Sequence, residues 1–297
     1  MTPRIRMGMI GGAGGFIGHV HRQASGLDRR IELVGGAFSS SPERSRRAGV
    51  DLGLDAARVY DSWKDLLTAE SNLPRDERMQ FLSVVTPNDL HAEPAQEALK
   101  AGFHVLCEKP MTASLEAARG LVDTVSRTGR MFCLMHNYSG YPLVKEARER
   151  IRTGTLGTVR KIVVEYPQGW LAGRFESAGV KPSTWKIDPE RAGDSCCLAD
   201  IGTHAFHLAE YVTGLRITEV CADVTAFVDF KPLEDDANCL IRFENGAKGI
   251  LYASQIAIND ANSLRLRVYG SKAGLEWFQE EPNTLIWKEP AAPQQLV

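Results

Sequence analysis

Three side chains of this sequence have the chemistry to move a proton during an oxidation or a reduction. Lys109 closely follows the apolar run 103–107, and Asp200 and His204 stand much later in the chain. Because Asp200 and His204 are four residues apart, one face of a helix would carry both. A lysine, a carboxylate and an imidazole beside a nicotinamide would form an acid/base set for hydride transfer. The hypothesis requires that the rest of the chain builds a dinucleotide site.

The first half of the chain alternates short apolar runs with helical patterns. The apolar runs predict strands at Ile5–Ile10, Glu32–Phe38, Phe81–Val85, His104–Cys107 and Met131–Met135. Between them the patterns predict helices near Phe16–Leu27, Pro42–Leu52, Leu90–Ala101 and Leu115–Thr128. Strands separated by helices indicate βαβ units, right-handed crossovers and a parallel sheet, hence an α/β fold. In such a sheet Lys109 would point into the crevice where open α/β sheets bind ligands.

After about Asn137 the pattern changes to one helix, predicted at Pro142–Thr153, followed by strands joined by short turns. The predicted strands are Val159–Tyr166, Thr218–Phe230, Ala237–Phe243, Gly249–Ile258 and Leu264–Tyr269. With a helix at Ile201–Thr213 on one face, they indicate an α+β arrangement with a mostly antiparallel sheet. We therefore expect two domains, residues 1–136 and 137–297.

Two segments of the second half do not predict regular structure. Residues 167–198 form a long stretch rich in Trp, Gly, Pro and charge, which is more typical of a functional loop than of a connector. Residues 289–295 contain two prolines among small and polar residues, which predicts a frayed tail.

A glycine-rich loop, residues 11–18, separates the first strand from the first helix. Its glycines fit GxxGxxG through Gly12, Gly15 and Gly18, or GxGxxxG when Gly14 takes the middle place. Glycines let the backbone approach a pyrophosphate, and the helix N-terminus supplies free N–H groups. A tight structural turn is the alternative interpretation, but the position after the first strand favours dinucleotide binding. The cofactor contacts predicted here are Gly12, Gly14, Gly15, Phe16 and Ile17.

The end of the second strand leaves the choice between NAD and NADP open. An acidic residue that would grip a ribose 2′-hydroxyl is missing from the segment 37–41. Ser39 and Ser40, together with Arg44, could hold a 2′-phosphate, which favours NADP. Equally, the serines could only cap the helix that begins at Pro42.

Composition excludes several other classes of protein. The 297 residues are 43% hydrophobic and 24% charged, which are ordinary globular values. A net charge of −2 does not support nucleic-acid binding or a polybasic membrane surface. No apolar run approaches the roughly 20 residues that span a bilayer, and the N-terminus lacks the apolar core of a signal peptide. Six cysteines without CxxC spacing give no metal-site pattern, so we expect reduced thiols, no metal and a cytoplasmic location.

Five motifs occur in one order along the chain. They are the glycine loop, Thr86-Pro87-Asn88 with His91, Glu108-Lys109-Pro110, Asn137-Tyr138 and Asp200-Ile201-Gly202-Thr203-His204. In this order the sequence, over about residues 4–288, resembles the glucose–fructose oxidoreductase / inositol dehydrogenase / MocA family of NAD(P)-dependent oxidoreductases. The resemblance implies an N-terminal Rossmann domain with a doubly wound parallel sheet. It also implies a C-terminal α+β domain whose open-faced sheet serves substrate binding and oligomerisation.

The resemblance also implies roles for individual residues. Lys109 would contact the substrate hydroxyl and the nicotinamide, Asp200 would bind or orient substrate, and His204 would act as general base or acid. In isolation, Asp200 could only cap its helix and His204 could be a buried structural histidine. The further cofactor contacts implied are Thr86, Pro87, Asn88, His91, Glu108 and Asn137. Trp170, Lys181, Trp185 and Lys186 are expected to border the substrate or cover the cofactor.

Three functions compete on this sequence. The leading hypothesis is reversible oxidation of a secondary hydroxyl on a cyclic polyol or sugar, by a homo-oligomer, either dimer or tetramer. The alternatives are NAD-dependent glycoside cleavage through transient oxidation, and a non-catalytic dinucleotide-binding sensor. Two departures from the family pattern stand out. Residues 194–197 include Cys196 and Cys197 where glycines are common, and the chain ends soon after Trp287, so we expect it to lack a further segment.

Overall fold

The computed structural model of the protein describes residues 4–172, 184–229, 231–291 and 293–297, with the Thr184 side chain left out. The chain separates into two compact units, Met1–Met135 and His136–Val297. Each unit has a hydrophobic core of its own. Within the described part of the chain, no helix has the length and apolar character needed to cross a membrane.

The first unit is a five-stranded parallel sheet with helices in the connections, which confirms the predicted α/β fold. The sheet order is β2-β1-β3-β4-β5. The strands are β1 (Ile5–Ile10), β2 (Ile31–Ala37), β3 (Phe81–Val84), β4 (His104–Cys107) and β5 (Phe132–Leu134). The helices are α1 (Phe16–Gly26), α2 (Pro42–Asp51), α3 (Trp63–Asn72), α4 (Ala92–Lys100) and α5 (Leu115–Thr128). Strand β2 lies on one side of β1, and strands β3 to β5 follow on the other side. Open α/β sheets bind ligands at the position where the strand order changes side in this way.

Helix α3 was not predicted, and its core face explains why. Leu66 and Leu67 are buried on that face, but Glu70 is buried beside them. Glu70 accepts hydrogen bonds from the Arg58 guanidinium, the Tyr60 hydroxyl and the main chain of Met79. A carboxylate at a core position interrupts the apolar periodicity by which a helix is predicted from sequence.

The second unit is built on an eight-stranded sheet in the order β13-β12-β11-β10-β6-β9-β8-β7. Its strands are β6 (Val159–Pro167), β7 (Ile217–Thr225), β8 (Asp236–Phe243), β9 (Lys248–Ser254), β10 (Arg265–Gly270), β11 (Gly274–Phe278), β12 (Leu285–Lys288) and β13 (Gln295–Leu296). Neighbouring strands pair antiparallel except β6 with β9, so the prediction of a mostly antiparallel sheet is confirmed.

One face of this second sheet is covered and the other is open. Along β8 the residues alternate between buried and exposed: Ile241 is buried, while Leu240 is 55% exposed. The helices of the unit are α6 (Pro142–Arg152), α7 (Pro189–Ala192) and α8 (Thr203–Thr213). Helix α8 contributes Ala205, Leu208 and Ala209 to the core under the covered face.

Several predictions for the second half need correction. Strand β9 was expected to reach Ile258 but ends at Ser254. Strands β11 and β12 were not predicted, and the residue Gln295 of the expected frayed tail pairs with Trp287 in the sheet. Strand β7 was expected to reach Phe230 but ends at Thr225. There the Asp235 carboxylate accepts the main-chain N–H groups of Phe227 and Val228, which turns the chain away from the sheet.

Candidate active site

The glycine loop after β1 adopts a conformation that requires glycine. Gly11, Gly12 and Gly15 have positive φ angles of 81°, 82° and 79°. A Cβ on Gly18, in the first turn of α1, would lie 2.5 Å from the Cα of Gly12. The loop therefore packs directly against the helix, and its main-chain N–H groups stand at the helix N-terminus, where anions bind.

The loop also contacts the neighbouring turn and one cation. A Cβ on Gly11 would lie 3.0 Å from the Val85 carbonyl oxygen, so the loop abuts the turn that follows β3. Arg22 Nη1 donates to the Gly12 carbonyl oxygen at 2.9 Å, and burial lowers the pKa of Arg22. Sequence reasoning missed Arg22, because only the fold brings its guanidinium under the loop. Of the other predicted contacts, Phe16 is exposed and Ile17 is partly buried.

The tip of β2 shows one of the two interactions that the sequence left open, the serine cap of α2. The Ser41 hydroxyl caps α2 by accepting the Arg44 N–H at 3.4 Å, and the Ser39 hydroxyl accepts the Ser41 N–H at 3.2 Å. Ser40 is exposed. Arg44 Nη2 lies 3.6 Å from the position of a Cβ on Gly14, so this cation stands beside the glycine loop. Ser39 and Ser41 thus have structural partners, and the Arg44 guanidinium stands next to the loop predicted to bind a dinucleotide.

Glu108 does not face outward from the end of β4. Its Oε1 lies 2.8 Å from His21 Nε2, and its Oε2 accepts the Lys109 N–H at 3.2 Å. His21 Nδ1 is 2.9 Å from the Ser83 hydroxyl, and both His21 and Glu108 are buried. Glu108 was expected near the ribose. Here it holds the main chain of Lys109 and ties the end of β4 to α1.

His91 links two of the predicted cofactor segments. Its ring is buried, with Nε2 2.9 Å from the Thr86 carbonyl oxygen and Nδ1 2.8 Å from that of Pro110. Burial lowers the pKa of His91, although both carbonyl contacts favour its protonated form. The turn of Thr86, Pro87 and Asn88 is thereby fixed to the segment that carries Lys109. Lys109 itself is partly buried at the carboxyl end of β4.

In the second unit, Asp200 lies in a π-helical segment, Leu198–Gly202, that runs directly into α8. Lys186 Nζ lies 2.9 Å from each carboxylate oxygen of Asp200. Gln255 Nε2 donates to Asp200 Oδ2 at 3.0 Å. The Asp200 carboxylate is therefore held by a cation and an amide. Short π-helical turns of this kind are frequent at functional sites.

Two indole rings flank the cation that holds Asp200. Lys186 Nζ lies 5.6 Å from the ring centre of Trp170 and 6.0 Å from that of Trp185, a cation–π arrangement. Trp170, Trp185 and Lys186, which were expected to border the substrate or cover the cofactor, therefore lie together around Asp200. Lys181, from the same prediction, lies outside the described residues.

His204, in the first turn of α8, is buried within a cage of aromatic rings. The Tyr138 ring stands edge-on at 4.8 Å, and the His136 ring edge-on at 5.5 Å. His136 in turn stacks on His207 at 4.1 Å. Burial lowers the pKa of His207, which favours a neutral ring there. Asn137, an expected cofactor contact, is exposed at the start of the turn next to His136.

Sequence reasoning missed the residues that fix the start of this helical segment. The Glu234 carboxylate accepts the main-chain N–H groups of Cys196 and Leu198 and the Ser195 hydroxyl. Next to it, Lys231 Nζ and Asp235 Oδ2 are 2.8 Å apart with both side chains 0% exposed. Burial alone would raise the pKa of Asp235, but the bonds from Lys231 and two main-chain N–H groups outweigh it, and the pKa is lowered.

With this geometry in place, comparison with known proteins assigns the chain to a family. Residues 5–136 match the model of an oxidoreductase family with an NAD-binding Rossmann fold, and residues 144–276 match the GFO/IDH/MocA C-terminal domain. The chain belongs to the GFO/IDH/MocA family. The predicted family, the oxidoreductase class and the nicotinamide dinucleotide cofactor are thus confirmed, and the first unit is an NAD-binding Rossmann domain.

Several solved structures and curated proteins resemble this family member closely. An oxidoreductase from Sinorhizobium meliloti is 42% identical with a TM-score of 0.89, covering 100% of this chain and 78% of its own. An inositol dehydrogenase homologue from Azotobacter vinelandii, complexed with NADH and myo-inositol, is 34% identical with a TM-score of 0.91 (100% and 76%). Levoglucosan dehydrogenase from Pseudarthrobacter phenanthrenivorans is 26% identical, over 95% of this chain and 75% of its own.

Proposed function

We propose that this oxidoreductase transfers a hydride between NAD(P) and a secondary hydroxyl of a neutral cyclic polyol or sugar. The observation that carries the proposal is the Lys186–Asp200–Gln255 cluster with His204 one helical turn further on. Carboxylate, ammonium and amide groups pair with hydroxyls as donors and acceptors, and indole rings such as Trp170 and Trp185 offer apolar faces to a sugar ring. The names of the relatives support a polyol or sugar.

The first unit fits a dinucleotide. Gly11, Gly12 and Gly15 have positive φ angles, and a Cβ on Gly15 would meet only open space. The first turn of α1 contains no acidic residue that would repel a pyrophosphate. The N–H groups of Gly11 and Ala13 donate to the carbonyl oxygens of Ala37 and Phe38, so those of Gly12, Gly14 and Gly15 would hold the pyrophosphate. Arg44 would lie towards the adenosine ribose. The turn of Thr86, Pro87 and Asn88 would border the path to the nicotinamide. When bound, the dinucleotide supplies the acceptor or donor of the hydride.

The mechanism assigns one task to each of three side chains. During oxidation, His204 takes the proton of the substrate hydroxyl on a ring nitrogen, and in reduction it returns that proton. To the ammonium of Lys109 we assign, as the family resemblance implies, the stabilisation of negative charge that develops on a substrate oxygen. Asp200 accepts hydrogen bonds from the substrate and orients the ring. The aromatic rings around His204 keep water away, which strengthens these interactions.

The test begins with cofactor binding and continues with turnover. Thermal-shift titrations with NAD and NADP should both be run, followed by a panel of polyols, sugars and glycosides monitored at the nicotinamide absorbance. We expect stabilisation by a dinucleotide, and NAD(P)H accumulation with at least one free polyol or sugar. Stabilisation by neither dinucleotide would contradict the role given to the glycine loop.

The same panel separates the alternatives. Cleavage of a glycoside without net accumulation of NAD(P)H would identify the glycoside-cleaving mechanism. Cofactor binding without turnover of any substrate would identify a sensor. Unchanged turnover in both Lys109→Met and His204→Asn would show that the catalytic roles are wrongly assigned.

We also propose that the protein forms a homo-oligomer through the open face of its second sheet. Val163, Ile250, Leu240 and Cys221 are consecutive neighbours across β6, β9, β8 and β7, and Leu240 and Ile250 are 55% and 38% exposed. An apolar row of this kind is typical of an interface between proteins. Light scattering after size exclusion should show a dimer or tetramer, and Leu240→Asp should shift it towards monomer, whereas Val50→Asp on α2 should not.

A further inference from the structure

The carboxylate of Asp200 is backed by a buried amide. Gln255 Nε2 donates to Asp200 Oδ2 at 3.0 Å, and Gln255 is 0% exposed. A glutamine amide has one donor end and one acceptor end, which differ only in which way the group is turned. Whether Gln255 presents its NH₂ group or its carbonyl oxygen to Asp200 therefore depends on the residue that contacts the other end of the amide.

That partner is a thiol. Cys196 Sγ donates to Gln255 Oε1 at 3.3 Å, and Cys196 is buried as well. Burial raises the pKa of Cys196 to about 12, and the nearby charge of Asp200 adds to the effect. A thiol that keeps its proton is a donor, so it requires the acceptor end of Gln255 and leaves the NH₂ end facing Asp200.

The main chain of Gln255 is held on both sides. Its N–H donates to the Asp235 carbonyl oxygen at 2.8 Å, and its carbonyl oxygen accepts the Leu171 N–H at 2.9 Å. Asp235 belongs to the buried pair with Lys231. The amide is therefore attached to a rigid part of the unit.

We propose that Cys196 and Gln255 form a positioning relay behind Asp200, which fixes the orientation of that carboxylate and maintains it as an acceptor for substrate hydroxyls. The proposal rests on the proposed function, because it gives Asp200 the task of binding the polyol or sugar. Both residues of the Cys196–Gln255 relay are buried and act through Asp200, so they are positioning residues. The relay also gives a role to Cys196, which departs from the family pattern.

The charged groups near Cys196 and Gln255 determine what a carboxylate introduced at position 255 would contact. Lys186 contacts Asp200 directly at 2.9 Å. Burial is the main cause that raises the pKa of Tyr138 and of Tyr166, so both phenols near Asp200 stay neutral. Besides Asp200, the charges that act on Cys196 are those of Lys231, Glu234 and Lys186. An additional negative charge at position 255 would therefore face the Asp200 carboxylate, which Lys186 contacts.

The variant Gln255→Glu tests the relay, because it keeps the shape of the side chain and replaces the donor by a carboxyl group. Two carboxyl groups at hydrogen-bond distance share one proton over the neutral range. We expect the KM for the polyol or sugar to rise about tenfold at pH 7 with a smaller loss of kcat, as for lost substrate binding. The acidic limb of the kcat/KM profile should move to higher pH. NAD(P) binding should be unchanged.

A readout without substrate keeps the relay separable from the proposed function. Infrared spectra of Gln255→Glu at pH 7 should show a protonated carboxyl band that is missing from the wild type. The band should disappear when Asp200→Asn is added, because the shared proton then has no second carboxylate. If the wild type turns over no polyol or sugar, the proposed function fails while this spectrum still decides on the relay. Absence of the band would overturn the relay.

Two variants of Cys196 give a second test with a smaller expected effect, and this test does not depend on the folding of Gln255→Glu. Cys196→Ala removes the donor that orients the amide, whereas Cys196→Ser keeps an O–H donor at the same place. We expect KM to rise about threefold in Cys196→Ala, near the value of one weak hydrogen bond, and Cys196→Ser to restore it. The matched control is Cys197→Ala, which removes a neighbouring buried thiol of the hydrophobic core and should leave the pH profile unchanged. Equal KM values for the alanine and serine variants would contradict the relay.

Discussion

The two units present polar groups of different kinds. In the first unit the glycine loop offers main-chain N–H groups, and three of its glycines need positive φ angles. In the second unit the polar contacts run between side chains, and Lys186, Asp200 and Gln255 come from three separate segments. A backbone device depends on local sequence, while a side-chain cluster depends on tertiary packing. The first unit therefore positions its polar groups within one short segment, whereas the second unit positions them by packing distant segments together.

Both units also bury a pair of polar side chains in contact, a histidine with a glutamate in the first unit and a lysine with an aspartate in the second. His21 and Glu108 meet at 2.8 Å beside Lys109, and Lys231 and Asp235 meet at 2.8 Å beside the residues that anchor Gln255. Buried pairs are weak evidence for stability, because desolvation opposes their attraction. Their common position beside functional segments indicates that they fix geometry.

The largest effect should follow removal of the imidazole in the second unit. We expect His204→Asn to lower kcat by about 10²–10⁴-fold, the usual contribution of a positioned general acid or base. Because the glycine loop binds through the main chain of the other unit, the Kd for NAD(P) should stay unchanged. Stopped-flow kinetics and a dinucleotide titration measure the two quantities. The matched control is His207→Asn, one turn further along α8, which should keep most of the activity.

If His204→Asn weakened dinucleotide binding as strongly as it lowered kcat, cofactor binding and proton transfer would not be assigned to separate units. A small loss of kcat would assign the proton transfer to another group.

The next effect concerns the buried pair of the second unit. Lys231→Met leaves Asp235 buried without its cation, which should lower the free energy of unfolding at pH 7 by about 3–5 kcal/mol. The pKa of Asp235 is lowered in the folded protein, so the stability it contributes is present above the unfolded-state pKa and is lost as the pH falls through the folded-state value. In the variant, burial without the cation favours the protonated form of Asp235, so the deficit should shrink towards pH 4. Urea unfolding at both pH values measures it.

Lys145→Met, at an exposed position on α6, is the control and should change the unfolding free energy by less than about 0.5 kcal/mol. A deficit in Lys231→Met that stayed constant between pH 7 and pH 4 would exclude an unpaired Asp235 carboxylate as its cause.

The difference between the units also explains how much the sequence could predict. Strands β1 and β4, helix α5 and the glycine loop follow from local patterns, and α5 is capped by the Ser114 hydroxyl as its sequence indicates. Lys109, Asp200 and His204 stand out because of their motifs. Gln255 and Lys231 carry no such signal, since a lone glutamine in a strand-like run and a lysine near acidic residues predict ordinary surface positions. Only the packed structure shows that both are buried.

A smaller effect is expected when the packing of the glycine loop against α1 is altered. In Gly18→Ala the new Cβ would lie 2.5 Å from the Gly12 Cα, so the loop must shift. We expect the Kd for NAD(P) to rise about tenfold, which corresponds to about 1.4 kcal/mol, with kcat at saturating cofactor nearly unchanged. Gly26→Ala, at the end of the same helix, has open space around its Cβ and should keep the Kd. Isothermal titration compares them, and an unchanged Kd in Gly18→Ala would remove the close packing as a requirement for binding.

The smallest effect decides between the two interpretations of the serines at the tip of β2. Ser41 caps α2 through the Arg44 N–H, so Ser41→Ala should lower the free energy of unfolding by about 1 kcal/mol. Because its hydroxyl is engaged in the cap, the ratio of the Kd values for NAD and NADP should not change. Arg44→Ala should leave the stability nearly unchanged and weaken NADP more than NAD, since its guanidinium stands beside Gly14. A change of the ratio in Ser41→Ala, with none in Arg44→Ala, would assign the 2′-phosphate contact to the serine hydroxyls.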